Sequence, residues 1–474
     1  MLAARKRFLV AGGALIVLIA IAISVLRGGA SSVLPAPPLP GIGVPPRAGD
    51  PFGYVASRQA AFVSRASAGR AQVLFTKSPG GALATAARVA AYRPLIDAAT
   101  HGTAIDPDVV EAIVFLESAG RPDAIAGSDP VNASGLTQIL AATGQSLLGM
   151  QIDLARSRRL TAQIASADNT GNTRLVARLL GTRAKVDGRF DPAHALAATV
   201  RYLEIAQQRF GRADLAVESY HMGIGNLQQV LSDYDGGRSV PYAQVYFDSA
   251  PDHNPATWRL LSSFGDDSST YYWRVLGALQ VMRLYRTDRA ALRRLSRLET
   301  GYPSDAEVLQ PPDRTASFAD PAALAAAYTR HTVIPLPRNA AKLGLAYAAT
   351  MGSRARQLGA PASLYRGLRA PALDLLIELA ARVRAISGAR APLIVANTVA
   401  DAKYESLLGF DDPPALTGYT FQIARRYASH AQAEAFQAML DRLQSLNLIA
   451  WIRGTATIEI TVAADADKVM TAGP

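Results

Sequence analysis

The sequence predicts a mainly α protein, with an N-terminal transmembrane helix, then an all-α domain, then a small α+β domain. Three observations predict it. An uncharged run near the N-terminus is long enough to cross a bilayer, apolar residues recur at helical spacing from about Ala71 to Leu298, and short strand-like runs appear near the C-terminus. At 474 residues the chain exceeds what one hydrophobic core usually serves. The expected divisions are a basic tip and membrane anchor at 1–27, a Pro-rich linker at 28–70, the all-α domain at 71–300, a second linker at 301–340, and the α+β domain at 341–474.

The anchor comes first. Arg5, Lys6 and Arg7 precede an apolar stretch from Phe8 to Leu26, closed by Arg27. Such a stretch spans roughly 28 Å, close to the hydrocarbon thickness of a bilayer. A cleaved signal peptide is the alternative, but its apolar region is usually shorter. The basic cluster favours a cytoplasmic N-terminus, so either reading places everything after Arg27 outside the cytoplasm. From Leu34 to Pro51 the chain reads LPAPPLPGIGVPPRAGDP, which favours extended polyproline II. Both a stiff spacer and a featureless linker fit.

Composition narrows the chemistry. There is no cysteine, which excludes disulfides, thiolate zinc sites and cysteine nucleophiles. The net charge of +11 favours anionic partners. No clustered Lys/Arg run is interleaved with aromatics, and many of the cations are single Arg residues on Ala-rich helical stretches, which argues against nucleic acid. Acidic lipid and cell-wall polymer remain.

Within the all-α domain the clearest helix begins at Asp106-Pro107, an N-cap followed by proline at the first helical position, and runs to Glu117. Ser118-Ala119-Gly120 and Arg121-Pro122 stop it. Glu117 thus sits at a helix C-terminus, where unpaired carbonyls disfavour an anion, directly after Val114, Phe115 and Leu116. A carboxyl held partly neutral is what a general acid requires.

Glu117-Ser-Ala-Gly is followed by Gly135-Leu-Thr-Gln138 and by Glu218-Ser-Tyr220-His221-Met222-Gly223. In that order these resemble the lytic transglycosylase (SLT-type) domain of the goose-type lysozyme superfamily, with its Glu-Ser-x-Gly, Gly-Leu-Met-Gln and Ala-Tyr-Asn-Ala-Gly elements. Phe190-Asp191-Pro192 with the following Ala198 to Leu203, and Tyr271-Tyr272-Trp273, resemble two further elements. Thr137 departs from the usual Met, His221-Met222 from Asn-Ala, and the stretch from Ala141 to Gly188 is longer than typical.

The resemblance implies a lysozyme-like fold and cleavage of the bond between N-acetylmuramic acid and N-acetylglucosamine in peptidoglycan strands. Glu117 would serve as acid and then base, giving a 1,6-anhydro product without any cofactor. Ser118 would orient Glu117 or the acetamido group, Gln138 would bond the substrate, and Tyr220 and Tyr271 would line the groove. Asp123 and Asp129 receive no role. A hydrolytic muramidase and a non-catalytic wall-binding scaffold are the alternatives. Partners among wall-synthesis proteins are a further expectation of a membrane-tethered lytic enzyme.

In the C-terminal half, Arg369 to Ser387 reads as a helix ended by Gly388, Ala431 to Leu446 as another, and the runs from 392, 448 and 457 as strands. This half resembles the zinc D,D-carboxypeptidases. Ala415, Gln422 and Glu459 stand where the family has metal ligands, Ala400 stands at an expected arginine, and Gly418 is retained. His331 and His430 lie at no such position. No metal and no peptidase activity are therefore expected.

Overall fold

A computed structural model describes residues 49–265 and 267–471. The expected anchor and the linker as far as residue 48 lie outside the described residues, within which no helix is long and apolar enough to cross a membrane.

The described end of the expected 28–70 linker is in fact packed. Helix α1, Gln59–Gly69, buries Phe62 and Ala66, which recur one turn apart and so face the same core. Beyond it the chain is helical to residue 300, the helices used below being α2 (Pro107–Ser118), α3 (Leu154–Asn169), α4 (Thr173–Val186), α5 (Pro192–Phe210), α6 (Ala213–Met222), α7 (Ile224–Asp235) and α8 (Tyr271–Thr287). Helix α2 begins as the sequence predicts: the Asp106 side chain accepts from the Asp108 N–H at 2.8 Å, with Pro107 at the first position. It ends where Ala119 turns left-handed at φ 54°. Val110, Ile113 and Val114 on α2 share a core with Leu196 and Val200 of α5 and Tyr271 and Val275 of α8. The catalytic-candidate helix is thereby wedged between two others. The long stretch after Ala141 holds the α3–α4 helical hairpin.

The C-terminal half is α+β. Helices α9 (Ala370–Ser387) and α10 (His430–Ser445) accompany strands β1 (Leu345–Tyr347), β2 (Leu393–Asn397), β3 (Thr420–Ala424), β4 (Ile449–Arg453) and β5 (Thr457–Val462). The sheet order is β1-β2-β3-β5-β4, parallel between β1 and β2 and antiparallel elsewhere. The segment expected as a 301–340 linker is also packed. Its prolines are not a spacer: Pro321 opens a helix capped by Asp320, and buried Gln310 donates from Nε2 to the Val462 carbonyl at 2.6 Å.

One core joins the two halves. Phe62 and Ala66 of α1 and Phe247 belong to the same buried cluster as Phe436, Met439 and Leu443 of α10. Around it, Arg442 Nη1 meets Asp50 Oδ2 at 2.9 Å, Tyr246 Oη meets Ser445 Oγ at 2.8 Å, and Arg65 Nη2 meets Asp465 Oδ2 at 2.6 Å. The backbones pass so closely at Gly69 that a Cβ there would stand 2.8 Å from the Gln444 carbonyl oxygen.

Candidate functional site

Glu117 lies in the last turn of α2 and opens into a cavity of about 320 Å³. The walls come from α5 and α6 (Tyr202, Tyr220, His221) and from the loop Ala133–Leu140. Glu117 is the only carboxylate on them among the described residues. Burial pushes its carboxyl up to about 7. Two groups pull the other way: the Tyr271 hydroxyl donates to Oε1 at 2.7 Å, and the Arg274 cation is nearby. A group half-protonated near neutrality, holding one donor that favours its anion, can both give and take a proton.

Tyr271 is positioned by stacking. Its ring lies parallel to Tyr220 at 6.3 Å and to His221 at 5.2 Å, and it opens α8 at the point where buried Glu218 accepts from the Tyr272 N–H at 2.8 Å. Glu218 therefore secures a helix start instead of facing the cavity. Tyr220 donates to the Thr137 carbonyl at 2.8 Å, which ties α6 to the Gly135–Gln138 loop.

The expected site residues thus separate. Glu117, Gln138 and Tyr220 line one cavity, and Tyr271 touches Glu117. Gln138 spends both amide hydrogens on the loop, donating to the carbonyls of Ala124 at 3.1 Å and Gly135 at 2.9 Å, so what it can offer a ligand is its carbonyl oxygen. Ser118 is corrected: it is 2% exposed and turned away from Glu117. One residue on, it lies about 100° around the helix, where it donates to the Leu136 carbonyl at 2.6 Å and accepts from the Arg121 N–H at 3.2 Å. It joins the helix end to the loop and does not orient the carboxyl. Asp129 is exposed and paired with Arg158 at 2.8 Å, and the Asp123 carbonyl accepts from Arg183 at 3.3 Å.

Sequence reasoning missed the residue that holds the loop. Arg189 is fully buried and pairs with Asp187 Oδ2 at 2.7 Å, while Ser157 of α3 donates to the same carboxylate at 2.8 Å. The rest of the guanidinium reaches the carbonyls of Pro130 at 2.6 Å, Asn132 at 3.1 Å and Ile139 at 3.2 Å. Those three carbonyls bracket the cavity wall. The backbone at Gly135 is so close that a Cβ would stand 1.8 Å from the Arg189 carbonyl oxygen, and its φ is +83°. The only signal in the sequence was the place of Arg189, one residue before Phe190-Asp191-Pro192.

In the C-terminal half, Ala400, Ala415, Gln422 and Glu459 all line a second cavity, of about 400 Å³. Gln422 and Glu459 face each other across β3 and β5, with Nε2 donating to Oε2 at 2.8 Å. Among the described residues no group of three His, Asp or Glu is arranged to hold a metal ion.

An all-α fold presenting one desolvated carboxyl at a helix end, in a cleft ringed by tyrosines, defines a site for acid-assisted bond cleavage. Residues 94–238, which span α2 to α7, match the family model described as Transglycosylase SLT domain. That domain is of the lytic transglycosylase type, whose substrate is peptidoglycan. No curated protein matches the chain.

Proposed function

We propose that this protein is a membrane-anchored lytic transglycosylase of the cell wall, which cleaves the β-1,4 bond between N-acetylmuramic acid and N-acetylglucosamine and leaves a 1,6-anhydro end. The observation that carries the reading is the lone Glu117 carboxyl, pushed up to about 7 by burial within the segment matching the SLT domain. Glycosidases that use two carboxylates place the second about 5–9.5 Å from the first. The Glu117 cavity has none among the described residues, which supports assistance by the sugar's own acetamido group.

Protonated Glu117 gives its proton to the glycosidic oxygen as the bond to the anomeric carbon breaks. The carboxylate left behind is stabilised by the Tyr271 hydroxyl and then takes the proton of the C6 hydroxyl as that oxygen closes on the same carbon. No water is consumed. The Gln138 carbonyl oxygen is the acceptor for a substrate N–H or O–H. The basic tip and apolar run at 1–27 support an anchor that holds the folded part on the wall side of the membrane, where wall-synthesis proteins are its natural neighbours. The convergence of Ala400, Ala415, Gln422 and Glu459 on one cavity supports a carboxypeptidase-like C-terminal fold that has lost its metal chemistry.

The test is mass spectrometry of sugars released from purified peptidoglycan by the full chain and by Glu117→Gln. Anhydro-muropeptides from the native form alone are expected. Reducing ends would replace the reading with a muramidase, and wall binding without release by either form would replace it with a scaffold.

A further inference from the structure

The α3–α4 hairpin builds something besides an anchor for the loop. Between it and α5 lies a cavity of about 710 Å³, which shares Leu148 with the Glu117 cavity. Helix α5 serves both: Tyr202 lines the Glu117 side, while Ala198 and Arg201, within one turn of it, line the other. One turn is about 5.4 Å, so the two spaces are neighbours along one helix.

Their chemistry differs. The Glu117 cavity carries Tyr202 and Tyr220, flat apolar faces suited to sugar rings, whereas the second cavity has no aromatic ring other than the His194 imidazole. It has an aliphatic floor that includes Met150, exposed cations from Lys185 and Arg201, and exposed His194. Its one carboxylate, Asp191, is occupied, accepting from the His194 N–H at 3.0 Å as the cap of α5 and standing 3.3 Å from the His194 ring. Among the described residues neither Lys185 nor Arg201 is ion-paired with a carboxylate, and Arg201 makes only a 3.4 Å contact to the Leu148 carbonyl. The hairpin that supplies Lys185 is the stretch by which this sequence exceeds the transglycosylase pattern.

We propose that this cavity is a subsite for the acidic peptide carried by the glycan, so that the enzyme selects peptide-bearing strands over bare ones. The proposal rests on the transglycosylase reading for its substrate. The peptide leaves the muramic acid beside the scissile bond and bears free carboxylates. Four extended residues reach about 13–14 Å, more than the roughly 5.4 Å helical turn that separates the two cavity linings along α5. A charge-assisted hydrogen bond to each carboxylate is the interaction the cavity offers.

The test uses the full chain on intact peptidoglycan and on the same material stripped of peptides by an amidase. The ratio of the two rates is expected to fall about tenfold in Lys185→Glu and in Arg201→Gln, the loss of one such bond. A ratio unchanged in both variants overturns the proposal. Calorimetric binding of a soluble acidic stem tetrapeptide to Glu117→Gln, with and without Lys185→Glu, separates the two readings. Peptide binding that depends on Lys185 without any native turnover would remove only the lytic activity. Turnover with peptide binding indifferent to Lys185 would remove only the subsite.

Discussion

Replacing Glu117 with glutamine is expected to stabilise the protein at alkaline pH and to leave its stability nearly unchanged in acid. The carboxyl is pushed from 4.5 up to about 7 by burial, so the folded state binds its proton more tightly than the unfolded chain does. Below pH 4.5 both states hold the proton and the carboxyl costs nothing. As pH rises through about 7 the folded protein must carry a desolvated anion that the unfolded chain keeps in water. A shift of about 2.5 units corresponds to roughly 3.4 kcal/mol, at about 1.36 kcal/mol per unit. Because the side chain lines an open cavity, solvent screening reduces this to about 2–3 kcal/mol. Glutamine has similar shape and no charge, so it removes that penalty. The assay is urea unfolding of both forms at pH 4.5 and pH 9, comparing midpoints at equal slope. An equal difference at the two pH values, or none at pH 9, would mean that the carboxyl is not desolvated, and the argument for Glu117 as a proton donor would fall with it.

Three further outcomes follow from the same geometry. Tyr271→Phe removes the donor to Glu117 Oε1 and is expected to move the alkaline limb of the pH–rate profile upward by about 1–2 units, since hydrogen bonds to charged groups contribute about 1.5–3 kcal/mol; an unmoved limb would deny the bond a role in setting the acidity. Arg189→Met leaves Asp187 buried without its partner and should destabilise by about 3–5 kcal/mol in denaturant titrations, whereas a loss below 1 kcal/mol would show that the loop does not depend on it. Gly135→Ala forces a methyl against the Arg189 carbonyl at a positive φ, so glycan cleavage should fall at least tenfold while far-ultraviolet circular dichroism is retained, and normal turnover would refute the tight contact.

Much of this was legible because local rules decided it. The start of α2 is set by Asp106 and Pro107, and its end by the left-handed turn at Ala119, each a matter of adjacent residues. Helix α9 likewise stops at Gly388, φ 64°, as its sequence announces. Where long-range contacts decided, the sequence misled. Residues 56–70 look like linker because they follow the proline-rich stretch from Leu34 to Pro51 and are small and polar in part, and residues 301–340 because they are punctuated by proline. Their burial depends on partners hundreds of residues away, such as Val469 for Arg58 and Val462 for Gln310. Ser118 carries the right residue type beside Glu117, but helical rotation turns it into the protein. Arg189 was invisible because an arginine reads as surface until its carboxylate and carbonyl partners are assembled around it.

The clasp between α1 and the C-terminal residues sets a schedule for making the protein. Arg58 donates to the Val469 carbonyl across 411 residues of chain. At about 5–20 residues per second, a ribosome takes roughly 20–80 s to synthesise that much polypeptide. During that interval α1 can already pack against Phe247 and α8, but the side of it that faces α10 has nothing to cover it. Helix α1 is thus among the first described elements to be made, and its last contacts wait for the C-terminal segment.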